Sequence, residues 1–134
     1  MAFSIDPGFP LPAGAVLPDY GEGGLFGFAR GLRHWLHDRR ADWPAAEIAP
    51  GERALVVLLL IDGLGERFLD TLGHGSALQK ARRGSLSSVC PSTTASAITT
   101  LATGVAPAEH GLNGWFIHDR RFGGVIAPLL LVRR

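Results

Sequence analysis

Every residue from Ala54 to Ile61 is apolar, and the run stops abruptly at Asp62-Gly63. That is strand length, and far short of the ~20 residues a membrane-spanning helix needs. Val56, Val57 and Ile61 favour extended backbone. Apolar residues without alternation predict a strand buried on both faces, as in the interior of a parallel sheet. Open sheets of that kind carry their functional groups at the carboxyl ends of strands, so attention falls on Asp62.

The rest of the chain fits an α/β layered fold with a mostly parallel sheet flanked by helices. Residues 1–24 are rich in Pro and Gly and read as an irregular lead-in, with one domain from 25 to 134. Leu25, Phe28, Ala29, Leu32, Trp35 and Leu36 recur at helical spacing, which predicts an amphipathic helix weakened by Gly27 and Gly31 and covering a sheet. A short helix is expected to bury Leu64, Phe68, Leu69 and Leu72 and stop at Gly73, with a second short strand from Gly84 to Val89. After Pro91-Ser-Thr-Thr, a further helix turns Ala95, Ile98, Leu101 and Ala102 inward and ends at Gly104. The tail from Gly114 to Val132 alternates apolar patches with Arg120-Arg121 and Gly123-Gly124, which suggests a hairpin or two short strands.

Composition narrows the function. Thirteen Lys and Arg against twelve Asp and Glu leave a net charge of +1, which gives no drive toward nucleic acid or anionic membrane. The one cysteine, Cys90, excludes an internal disulfide and suits a reducing compartment. With no leader or membrane segment in view, the sequence reads as soluble and cytoplasmic.

Two groups of residues are candidates for chemistry. Asp62, at the end of an apolar strand, is either a helix N-cap or a carboxylate held by a partner or a metal. The hydroxyls of Ser92, Thr93, Thr94 and Ser96 cluster where a helix begins. They either cap it or face an anion bound at the positive helix end, where a metal-activated hydroxyl becomes a nucleophile.

Leu58-Leu-Leu-Ile-Asp-Gly63, Pro91-Ser-Thr-Thr94 and Thr103-Gly104-Val-Ala-Pro107-Ala-Glu-His110-Gly111 together resemble the alkaline phosphatase superfamily. Within it they are most similar to the type I phosphodiesterase/nucleotide pyrophosphatase branch. The resemblance spans residues 54 to 118 and implies a hydrolase of phosphate esters acting on a small-molecule phosphoester. Asp62 matches an aspartate ligating one of two divalent metal ions, zinc as a rule. Thr94 matches the nucleophile, itself also a metal ligand, with Thr93 one position away. A phosphate-binding asparagine of the family falls on Trp115, with Asn113 two residues early. Trp115 is therefore either a packed residue or one flanking the substrate. His110 belongs to a turn and is not counted as a ligand.

The family's remaining Asp and His ligands come in motifs further along, and this chain has none of those motifs. After Thr94 its acidic residues are Glu109 and Asp119 and its histidines His110 and His118. A closed zinc site needs three or four ligands, so the expectation is a truncated, incomplete catalytic domain. Such a chain is expected to be aggregation-prone, or soluble only as an oligomer or with a complementary C-terminal fragment. The competing reading is a non-catalytic module on whose Pro91 to Ala95 turn a phosphate merely rests. A dinucleotide fingerprint at Asp62-Gly-Leu-Gly65 fails, because Phe68 takes the third glycine position and Arg82-Arg83 stand where an acid is required. A sulfatase-type Cys-x-Pro-x-Arg is absent, which leaves Cys90 as a small packed residue.

Overall fold

The computed structural model describes residues 10, 12–44, 51, 54–130 and 132–133. Among them lie helices α1 (Leu25–His37), α2 (Glu66–Thr71), α3 (Ala77–Ala81), α4 (Thr94–Thr103) and α5 (Pro107–His110). A short sheet follows, formed by β1 (Ile117–Asp119), β2 (Gly124–Ala127) and β3 (Val132–Arg133).

The amphipathic stripe does form α1, but its buried residues are Ala29 and Trp35, and Leu36 is exposed. Trp35 packs edge-on against Trp43, with ring centroids 4.8 Å apart. Against expectation, α1 lies on α4 rather than on a sheet. The glycines that weaken it locally are what let it pack. A Cβ at Gly27 would stand 1.8 Å from the Gly21 carbonyl oxygen, so no side chain fits there. Where α4 ends, Gly104 takes the left-handed conformation (φ +66°), and Arg33 Nη1 donates to the Thr103 carbonyl 2.5 Å away. Arg33 thereby holds an otherwise open carbonyl at the helix end.

The described end of the lead-in, residues 19–24, is more ordered than its composition suggests. The Asp19 carboxylate accepts from the Gly21 and Gly23 amides at 2.6 and 3.1 Å. Ser87 then ties this turn to the start of α1, accepting from Leu25 N–H at 2.8 Å and donating its own N–H to the Gly23 carbonyl at 3.1 Å. That parallel bridge between Gly24 and Ser87 is all that forms of the strand expected from Gly84 to Val89.

The mostly parallel sheet does not form among the described residues. The sheet present is antiparallel, in the order β1-β2-β3, with Ile117 opposite Ile126 and Asp119 opposite Gly124. It realises the hairpin expected in the tail. The run from Ala54 to Ile61 pairs with no strand, and Leu55, Val57 and Leu59 are 90%, 81% and 78% exposed. A strand apolar on both faces needs a neighbour on each side and cover above and below; among the described residues it has neither. Among the described residues the core is correspondingly small and centres on Ala29, Trp35, Val89, Ala95 and Ala127.

Candidate active site

The turn before α4 is positioned from the lead-in. Tyr20 Oη accepts from Cys90 N–H at 3.1 Å and lies 3.4 Å from the Cys90 carbonyl, holding the backbone just ahead of Pro91. Cys90 itself is exposed, not packed as the sequence suggested. Val89 beside it is buried and anchors the segment.

The two threonines that follow divide the roles left open by the sequence. Thr93 is the N-cap of α4, its Oγ1 accepting from Ser96 N–H at 3.3 Å. Thr94 is therefore released from capping, and its hydroxyl donates to Asp62 Oδ2 at 3.3 Å, across 32 residues of sequence. Asp62 caps nothing either. The helix after it starts at Glu66, with Gly65 as an N-cap that makes no side-chain bond. Nor is Asp62 desolvated; it stands exposed at the tip of a turn in which Gly63 has φ +74°. Two chemically suited side chains thus meet, and neither is occupied by a helix end.

The amides of Thr94 and Ala95 open α4 and have no hydrogen-bond partner among the described residues. Free amides at a helix start, with the positive end of the dipole behind them, suit an anion beside the Thr94 hydroxyl. The donor set for a metal is smaller. Asp62 and Thr94 supply two oxygens, whereas a divalent ion bound by protein alone needs three or four ligands. Among the described residues no group of three or more His, Cys, Asp or Glu side chains could hold a metal ion. The residues present therefore fit one edge of a metal's coordination shell and not a closed site.

On the inner side of α4 Ala95 is buried as expected, but two hydroxyls turn inward beside it. Ser96 and Thr100 are fully buried, while Ala102 is exposed. Ser96 Oγ donates to the Leu112 carbonyl at 3.0 Å, and Thr100 Oγ1 lies 3.2 Å from His110 Nε2. His110 Nδ1 accepts from Leu112 N–H at 3.0 Å, so both ring nitrogens are engaged within the turn. Ser96 was read only as part of the hydroxyl cluster at the helix start and Thr100 escaped notice, although their spacing of one helical turn puts both on one face. Asn113 and Trp115 follow Leu112 and are both exposed, Trp115 by 46%, which removes the packed role for that indole.

Behind Asp62, α2 and α3 fold against each other around Arg82, which pairs with Glu66 at 3.4 Å and Asp70 at 2.9 Å. Asp70 is held below the ordinary carboxylate range, first by its bond to Arg82 and then by the Gln79 side chain. These exposed pairs set local geometry more than stability.

No curated protein and no solved structure matches the chain. The family described as type I phosphodiesterase / nucleotide pyrophosphatase does match, over residues 56–126. That stretch is more than half of the 134 residues and takes in Asp62, α4 and the loop after His110. The chain belongs to the type I phosphodiesterase / nucleotide pyrophosphatase family.

Proposed function

We propose that this chain carries the nucleophile side of a metal-dependent phosphoester hydrolase, with Thr94 as nucleophile and Asp62 as a metal ligand. The observation that carries this reading is the 3.3 Å bond from Thr94 to Asp62, made while Thr93 does the capping. Family membership supports the reaction class. The apolar run Ala54 to Ile61 supports a parallel-sheet setting for Asp62, with neighbouring strands from outside the described residues.

A divalent ion, zinc in our reading, bound across Asp62 and Thr94 with further ligands from outside the described residues, would lower the proton affinity of the hydroxyl. The chain's own groups do the rest. Asp62 orients the Thr94 hydroxyl and provides an exposed route by which its proton reaches solvent. The Thr94 oxygen bonds to phosphorus as the bond to the leaving alkoxide breaks, and the alkoxide takes a proton from solvent. Water then displaces Thr94 from phosphorus, restoring the hydroxyl and releasing the phosphate product. The amides of Thr94 and Ala95 bind the phosphoryl oxygens, where they stabilise charge that grows in the transition state.

The small donor set favours a second reading, in which the same turn binds phosphate without turnover. One experiment separates them. The full gene product, supplied with zinc, hydrolyses a nitrophenyl phosphodiester, and Thr94→Ala lowers the rate by about a thousandfold or more. Phosphate binding without metal-dependent hydrolysis in the wild type selects the binding module instead.

A further inference from the structure

We infer that Ser96 and His110 are positioning residues, which clamp the loop from Leu112 to Trp115 onto the helix that presents Thr94. This deepens the proposed reaction and rests on Thr94 being its nucleophile. The direction of every bond in the clamp is determined. The Leu112 carbonyl can only accept, so the Ser96 hydroxyl spends its proton there. Ser96 Oγ must then accept from the Thr93 hydroxyl 2.9 Å away. Thr93 Oγ1 in turn accepts from Ser96 N–H. On the other side, Leu112 N–H can only donate, so His110 Nδ1 is the bare nitrogen of the ring. The ring proton sits on Nε2 and is donated to Thr100 Oγ1.

Both backbone polar groups of Leu112 are thus tied to α4, one through Ser96 and one through His110 and Thr100. Ser96 and Thr100 are fully buried, and among the described residues no buried side-chain polar atom lacks a partner. A satisfied polar network of this kind specifies one register, because sliding the loop along α4 orphans several buried groups at once. The Ser96 hydroxyl is also bonded to the cap of α4, one residue before Thr94. A single buried oxygen therefore links the turn that aims the nucleophile to the loop that carries exposed Asn113 and Trp115. The clamp fixes the placement of that loop relative to the turn.

Removing one clamp point misplaces the loop without touching the reacting atoms. In the full gene product with zinc, Ser96→Ala is expected to lower kcat/KM for a nitrophenyl phosphodiester by about tenfold to a hundredfold, mostly in kcat. His110→Ala does the same, and His110→Asn, whose amide oxygen takes the place of Nδ1, recovers most of it. Ser96→Ala folded and at wild-type kcat/KM overturns the clamp. A readout on the unaltered chain needs neither activity nor a folded variant. In ring ¹⁵N spectra His110 is expected with a bare Nδ1 and a protonated Nε2; the opposite tautomer overturns the proposal. Should the wild type hydrolyse nothing, the proposed reaction fails while amide exchange still decides the clamp. A protected Leu112 amide that becomes fast in His110→Ala supports it, and a Leu112 amide unprotected in the wild type refutes it.

Discussion

Thr93 and Thr94 are adjacent and chemically identical, so replacing each by alanine separates local structure from chemistry. Thr93→Ala removes the acceptor for Ser96 N–H at 3.3 Å. It also removes the donor to Ser96 Oγ at 2.9 Å. Loss of an N-cap threonine costs about 1 kcal/mol, within a range of about 0.5–2. The second loss adds little, because Ser96 Oγ keeps its bond to the Leu112 carbonyl and is not orphaned. Thr94→Ala breaks one long bond to an exposed carboxylate, worth a few tenths of a kcal/mol. It gains about as much from alanine's better helix propensity. The expected pattern is a loss of about 1–1.5 kcal/mol for Thr93→Ala and a change within about 0.5 kcal/mol for Thr94→Ala. Urea unfolding followed by tryptophan fluorescence resolves this: with a slope of about 1.5 kcal/mol/M the midpoint falls by roughly 0.7–1 M for Thr93→Ala only. Hydrolysis by the full gene product should show the reverse, surviving Thr93→Ala and disappearing with Thr94→Ala. Equal destabilisation by both changes, or hydrolysis lost with Thr93 and kept without Thr94, refutes the division of roles.

Gly27→Ala drives a Cβ to within 1.8 Å of the Gly21 carbonyl oxygen. Backbone must therefore move, and we expect a loss of about 1–3 kcal/mol in urea unfolding; an unchanged midpoint refutes that packing. Asp119 is held below the ordinary carboxylate range, first by the Arg121 guanidinium and then by the Arg121 amide. A lowered folded value stabilises the Asp119–Phe122 turn above the ordinary carboxylate range, and that support is lost as the pH falls through the lowered value. The Arg121 amide, 2.8 Å from Asp119 Oδ1, should report this titration by NMR ahead of global unfolding, and an amide shift flat until unfolding contradicts it. With two oxygen donors in place, calorimetry on the 134-residue chain should find no tight stoichiometric zinc site; a steep one-to-one isotherm points to ligands other than Asp62 and Thr94.

Features written within a turn or two of chain were legible in the residues themselves. The stripe from Leu25 to Leu36 falls within α1, Leu25–His37. Gly104 marked the end of α4 because glycine takes the left-handed conformation there without penalty. Gly123-Gly124 gave the hairpin its turn and return strand. The Asp-Gly, Pro-Ser-Thr-Thr and His-Gly motifs carried the family, which the match over residues 56–126 shows. What failed was everything that depends on a distant partner. An apolar run states that a segment gains by burial, but pairing needs a second segment, and Ala54 to Ile61 meets none among the described residues. The inner face of α4 was read only in part, with Ala95 buried as expected, for the same reason. Burial of Ser96 and Thr100 follows only once the Leu112 carbonyl and the His110 ring are placed beside them, because a buried hydroxyl is tolerated only where such partners exist. Sequence alone left Asp62 and the two threonines divided between capping and chemistry. Tertiary structure showed which threonine caps α4 and which one meets Asp62, because a cap is satisfied within three residues whereas the Thr94–Asp62 bond needs two turns, 32 residues apart, brought to one place.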